Sequence, residues 1–174
     1  MALIAVIDSG IGGLTVLKRL RNDFKGFNFV YYGDNENVPY GNKTINELKD
    51  RLENILNDLS SYNPDCLVVA CNTLSVTFEN DLLKYEIPVV LTLPPYNKQG
   101  DYLLCTPNTS NSGYVKKNFG GNVLPLPMLA SEIERNVLNL SNVRVDYDLK
   151  GVPNYAKRLV LGCTHYLYLE EKPP

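Results

Sequence analysis

LIAVIDSGIGG, residues 3–13, is the stretch on which the reading of the fold turns. Leu3 to Ile7 is apolar at every position and rich in β-branched side chains. That is the pattern of a strand buried on both faces of a parallel sheet. Asp8-Ser9-Gly10-Ile11-Gly12-Gly13 then makes a turn, after which Leu14, Val16, Leu17 and Leu20 recur at helical spacing. A buried strand, a tight turn and a helix open a βαβ unit.

Outward from that stretch the alternation continues. Strands are predicted over 27–32, 66–70 and 88–93. Helices are predicted from about 44 to 59, with Leu48, Leu52, Ile55, Leu56 and Leu59 on one face, and, once Cys71-Asn72-Thr73 has closed the third strand, to about Tyr85. Pro94 to Gly100 is dense in turn formers and marks a boundary. The second half restarts the pattern: strand 101–104, a polar turn over 105–113, a helix to about 119, strand 122–126, helix 128–140 and strand 159–161. Ser141 to Pro153 carries no clear period. The expected class is α/β, with two similar parallel-sheet domains, 1–95 and 96–174, facing each other across a cleft.

A chain of 174 residues with net charge -2 and no run of like charges offers no nucleic-acid surface and no polybasic membrane patch. The N-terminus lacks a basic start and a long apolar middle, and no apolar run is long enough to span a bilayer. A cytoplasmic protein is expected. Cys66, Cys71, Cys105 and Cys163 show no C-x-x-C spacing, and the single histidine, His165, makes a poor metal site. Each cysteine is therefore core filler or chemistry.

Asp8, Cys71, Thr106 and Cys163 follow the carboxyl ends of predicted parallel strands, the edge where open α/β sheets bind ligands. A cysteine holds that position once in each half. Removing the α-hydrogen of an amino acid needs a base on one face, and inversion needs an acid on the other. Two thiols, with ordinary pKa near ~8.5 and open to tuning, can exchange these roles. Asp8 lies on a strand adjacent to that of Cys71, and His165 follows Cys163 by two positions. Ser9, Asn72, Thr73 and Thr164 offer short polar groups for a substrate's amino and carboxylate ends. Plainer readings compete. A strand-end cysteine is commonly an inert small hydrophobe. Cys66 reads as core, and Cys105 also stands at a strand end. Asp8-Ser9-Gly10 and Pro39-Tyr40-Gly41 can be simple turns. Gly10-Ile11-Gly12-Gly13 invites a phosphate-loop reading, but Asp8 at its mouth would repel a phosphate and the G-x-G-x-x-G spacing is absent.

At these residues the sequence resembles glutamate racemase, of the aspartate/glutamate racemase superfamily. IAVIDSGIGGLTVLKRL resembles the family's opening segment, YYGDNENVPYGNKT its Gly-Asp and Pro-Tyr-Gly pattern, VVACNTLSV its first cysteine motif and LVLGCTHY its second. CTPNTSNSGY is similar to its threonine-rich segment, with Cys105 where glycine is usual. The resemblance implies that Cys71 and Cys163 are the acid–base pair, with Asp8 assisting the first and His165 the second. It implies that Asp8, Ser9, Pro39, Tyr40, Gly41, Asn72, Thr73, Thr164 and His165 bind substrate, and that Thr106 and Thr109 line the pocket from the second half. Glu134, in LPMLASEIE, looks like the family glutamate that orients the histidine. The implied reaction interconverts L- and D-glutamate without cofactor or metal and supplies D-glutamate for bacterial peptidoglycan. Relatives continue well beyond the second cysteine motif, whereas nine residues follow His165 here. Relatives are also longer around 142–154. An uncovered apolar face on the first half, and self-association, are therefore expected. The rival readings are racemisation of aspartate or a related acid, and a non-catalytic paralogue that binds an acidic amino acid or a protein partner.

Overall fold

The computed structural model describes residues 1–95, 98–143 and 148–169. Its first half runs β1 (Leu3–Asp8), α1 (Gly13–Asp23), β2 (Asn28–Gly33), α2 (Ile45–Ser60), β3 (Cys66–Val69), α3 (Asn72–Thr77), α4 (Glu79–Leu82) and β4 (Val89–Leu91). The second half runs β5 (Asp101–Cys105), α5 (Pro107–Asn111), α6 (Gly113–Phe119), β6 (Val123–Pro125), α7 (Leu129–Arg135) and β7 (Arg158–Gly162), followed by a 3-10 segment at Thr164–Leu169. Two parallel sheets result, four strands in the order β2-β1-β3-β4 and three in the order β6-β5-β7. The α/β class with two parallel-sheet sets is as expected.

The uninterrupted apolar character of β1 suits its position inside the first sheet. Ala5 and Ile7 face one layer with Leu48, Leu52, Ile55 and Leu59 of α2, while Val6 faces the other with Val16, Leu17 and Leu20 of α1. Helix α2 starts on a capping box. Thr44 Oγ1 accepts from the Glu47 N–H, and Glu47 accepts in turn from the Thr44 N–H. In the second sheet β5 is the inner strand. Leu103 and Cys105 pack with Val115 and Phe119 on one face, and Leu104 packs with Leu129 and Ile133 on the other.

The register brings the chemistry to two edges. Asp8 pairs with Gly33 and Ile7 with Val69, so Asp8, Asp34 and Cys71 follow neighbouring strand ends. Cys105 pairs with Gly162, which places Thr106 and Cys163 side by side. These carboxyl edges meet. Asn108 donates to the carbonyls of Tyr40 and Lys43, Asn42 donates to that of Pro127, and Thr164 donates to Asp8.

Four expectations need correction. The single helix expected between Cys71-Asn72-Thr73 and about Tyr85 is two short ones, α3 and α4, parted at Phe78, whose φ of -115° and ψ of 25° leave the helical region. β-Branched Val76 and Thr77 weaken the helix there, and the break lets Phe78 and Leu82 both enter the first core. The polar turn over 105–113 contains helix α5, because Thr106 caps it by accepting from the Thr109 N–H and Pro107 suits its first turn. The helix over 128–140 stops at Arg135. The apolar period continues in the sequence, but Leu138 is 99% exposed and gains no burial among the described residues. Cys66 opens β3 half-buried rather than in the core. The boundary over Pro94–Gly100 includes Tyr96 and Asn97, and the unreadable stretch includes residues 144–147; these lie outside the described residues. An open groove lined by Leu56, Leu59, Pro64, Leu67, Tyr85 and Ile87 flanks the first sheet.

Candidate active site

Cys71 and Cys163 line one cavity where the two sheets' carboxyl edges meet. Ser9, Pro39, Tyr40, Gly41, Asn72, Thr73, Thr106, Ala130, Thr164 and His165 complete the lining. The space between atoms is about 260 Å³, and its free interior admits about one water molecule. Both thiols are buried and neither is in a disulfide. Cys71 is the residue before α3, and its carbonyl accepts the first bond of that helix from Ser75.

On the Cys71 side, burial and then the nearby Asp8 carboxylate push the thiol well above its ordinary range. Donation to its sulfur from the Leu74 N–H and the Ser9 hydroxyl offsets part of that rise. Asp8 is fully buried, and burial raises its own pKa against the opposing pull of His165. Its Oδ2 accepts from the Gly10 N–H at 3.1 Å, and its Oδ1 accepts from the Thr164 hydroxyl of the other half at 3.1 Å.

On the Cys163 side, His165 Nδ1 lies 3.8 Å from Sγ, and Nε2 lies 2.7 Å from Glu134 Oε2. An imidazolium satisfies both acceptors at once, donating from each ring nitrogen. Burial pushes His165 down, but these hydrogen bonds outweigh it and hold the pKa at about 10. Burial likewise pulls Glu134 up, and donation from His165 and the Ile11 N–H outweighs it, leaving the carboxyl below its usual range.

The glycines of the 8–13 turn serve these contacts. A side chain at Gly12 would meet the His165 ring nitrogen at 2.7 Å, and one at Gly10 would meet the Glu134 carboxyl at 2.5 to 2.9 Å. The Asp8 and Glu134 carboxylates lie against this loop. That gives the glycine run a reason the phosphate-loop reading lacks.

Thr73, Thr106 and Thr109 form a closed ring of hydroxyls at 3.0 to 3.2 Å, joining the two halves at the cavity wall. Thr73 and Thr106 line the cavity, and Thr109, fully buried, stands behind them. Asn72 donates to the Thr92 carbonyl, which fixes its amide at the rim. The Val38–Pro39 peptide is cis and leads into Tyr40, whose hydroxyl donates to Asp34 Oδ2 at 2.5 Å. Arg51 grips the same carboxylate with two hydrogen bonds at 2.8 and 3.0 Å.

All the candidate residues read from the sequence therefore surround one site. Sequence reasoning missed Asn35, Asp34 and Arg51. Asp34 lay within the quoted Gly-Asp pattern and was a findable signal; Asn35 and Arg51 carried none. Among the described residues no cluster of three or more His, Cys, Asp or Glu side chains is placed to hold a metal ion.

No family model matches the chain. The glutamate racemase of Borreliella burgdorferi is 34% identical over 183 residues, spanning 97% of this chain and 69% of that protein. The glutamate racemase of Clostridium acetobutylicum is 33% identical over 192 residues, spanning 97% of this chain and 73% of that one. Among solved structures, glutamate racemase from Thermus thermophilus in complex with β-chloro-D-alanine superimposes with a TM-score of 0.82 at 30% identity, covering 97% of this chain and 70% of that one. Escherichia coli glutamate racemase, solved with L-glutamate and the activator UDP-MurNAc-Ala, gives a TM-score of 0.78 at 28% identity, with 98% and 72% covered. With the motifs in order, the fold shared and the sequence similar over nearly its whole length, the chain belongs to the glutamate racemase family of isomerases.

Proposed function

We propose that the chain interconverts L- and D-glutamate through Cys71 and Cys163 acting on opposite faces of the α-carbon. The observation that carries this is the placement of one thiol from each sheet on the wall of a single buried cavity, each with a distinct charged helper.

The two helpers make the resting site asymmetric. A thiolate at Cys163 lies beside the His165 cation, whereas one at Cys71 lies beside the Asp8 carboxylate. The favourable field falls on the Cys163 side, so Cys163 begins as base and Cys71 as acid. The Cys163 sulfur takes the α-proton, the C–H electron pair passes into the substrate's carboxylate-stabilised carbanion, and the Cys71 S–H returns a proton to the opposite face. Cys71 is left as thiolate and Cys163 as thiol, which is the arrangement needed for the reverse reaction. A substrate ammonium seated against Asp8 neutralises the carboxylate that otherwise opposes a thiolate at Cys71. The threonine hydroxyls, the Asn72 amide and the Ser9 hydroxyl supply donors for the two carboxylates.

The names of the similar proteins support glutamate as the substrate, and the family's role supports supply of D-glutamate for peptidoglycan, a cytoplasmic step. Division into units 1–95 and 96–174, with the site between them, belongs to the same reading. Cys71→Ala and Cys163→Ala should each abolish formation of D-glutamate from L-glutamate, measured by chiral chromatography. Full activity in either folded variant overturns the two-thiol assignment.

A further inference from the structure

We propose that Asn35 is a positioning residue for the acid–base pair on the Cys163 side, acting from the other half of the molecule by pinning Glu134, which pins His165. This rests on the reading of Cys163 and His165 given above.

The Glu134 carboxylate has three partners, two of them, Asn35 and the Ile11 N–H, in the other half. Its Oε1 accepts from Asn35 Nδ2 at 2.5 Å. Its Oε2 accepts from the Ile11 N–H at 3.0 Å and holds His165 Nε2 at 2.7 Å. A glutamate on the short helix α7 has three rotatable bonds, and its side chain is 11% exposed. The Ile11 N–H fixes one oxygen, and among the described residues only the Asn35 amide fixes the other. Together they set the plane of the carboxylate and so the direction of its bond to the imidazole.

Asn35 is itself held in place. It opens the 3-10 turn Asn35–Asn37, and Asp34 before it is tied by Arg51, Tyr40 and the Asn37 amide, with its N–H donating to the Asp8 carbonyl. On the other side, a side chain at Gly33 would meet Asn35 Oδ1 at 2.9 Å, so the bare glycine makes room for the amide. A side chain at Gly10 would meet the Glu134 carboxyl it grips. An exposed asparagine thus gains a fixed orientation from groups that also build the substrate loop.

The test uses the fact that His165 is the chain's single histidine, so its imidazole signals in ¹H–¹⁵N spectra of the full chain are unambiguous. The titratable groups facing it are Cys163, Glu134 and Asp8, with the Tyr31 and Tyr168 hydroxyls bonded to the carbonyls of Gly10 and Ile11 nearby. In Asn35→Ala the freed Oε1 turns toward solvent and the imidazolium loses its steady acceptor. Its titration midpoint should fall by about one unit or more, and kcat/KM by ~10- to 100-fold. Asn42→Ala removes another hydrogen bond between the halves, to the Pro127 carbonyl, and should leave the His165 midpoint where it was. An unchanged midpoint in Asn35→Ala, or an equal shift in Asn42→Ala, overturns the proposal in favour of general loosening. A lowered midpoint with unaltered racemisation overturns instead the assignment of His165 to the chemistry.

Discussion

His165 is a buried ring between two acceptors, the Cys163 sulfur and the Glu134 carboxylate, and its charge is linked to folding. Its pKa in the folded chain is about 10, above the ordinary histidine value of 6.5. The imidazolium therefore contributes stability that is complete below the ordinary value and is lost as pH rises through about 10. The gap in urea midpoint between the native protein and His165→Asn should accordingly narrow as pH is raised from neutral toward 10. A gap that widens over that range contradicts the imidazolium assignment. At this scale much of the site was legible. Asp8, Cys71 and Cys163 stand where a buried apolar run meets polar residues, a boundary written in adjacent letters. Asn35 was not legible, because its partner Glu134 is 99 positions away and nothing local distinguishes it from any loop asparagine. Arg51 was hidden for a related reason. It sits on the polar side of an amphipathic helix, where its bidentate grip on Asp34 looks in sequence like ordinary surface charge.

Helix α2 shows what local signals do well. Its start follows from Thr44 and Glu47, and its buried face from Leu48, Leu52, Ile55 and Leu59. Thr44→Ala should cost about 1 kcal/mol through the lost cap. Leu48→Ala, which empties a fully buried site against β1 and β3, should cost about 3 kcal/mol by cavity formation. Chemical denaturation compares the two directly, and a cap loss larger than the core loss contradicts this packing. The elements misread were those whose length depends on distant partners. The sequence carries the helical period past Arg135, but Leu138 is left exposed, so burial does not hold a further turn of α7 in place. Helix α5 was hidden in residues typical of turns, and it exists because Thr106 caps it while the hydroxyls of Thr106 and Thr109 bond across to Thr73.

At the scale of the molecule, the two sheets present their carboxyl edges to each other, and no local pattern specifies that meeting. It is made by side chains reaching across: Thr164 to Asp8, Asn35 and the Ile11 N–H to Glu134, Asn108 to Tyr40 and Lys43, and the ring of Thr73, Thr106 and Thr109. The space at this meeting admits about one water, less than a glutamate occupies, so on the proposed reading substrate entry would require the edges to part. Closing them again would exclude water from the thiols and strengthen the fields of Asp8 and His165 on them. The most direct measurement is the α-proton NMR signal of L-glutamate in D₂O with the native protein and no added cofactor, beside the Cys71→Ala variant. Two thiols on opposite faces predict loss of that signal together with formation of D-glutamate, and no D-glutamate from the variant. A folded native protein that leaves the α-proton in place, or a variant that inverts as fast as the native chain, would contradict them.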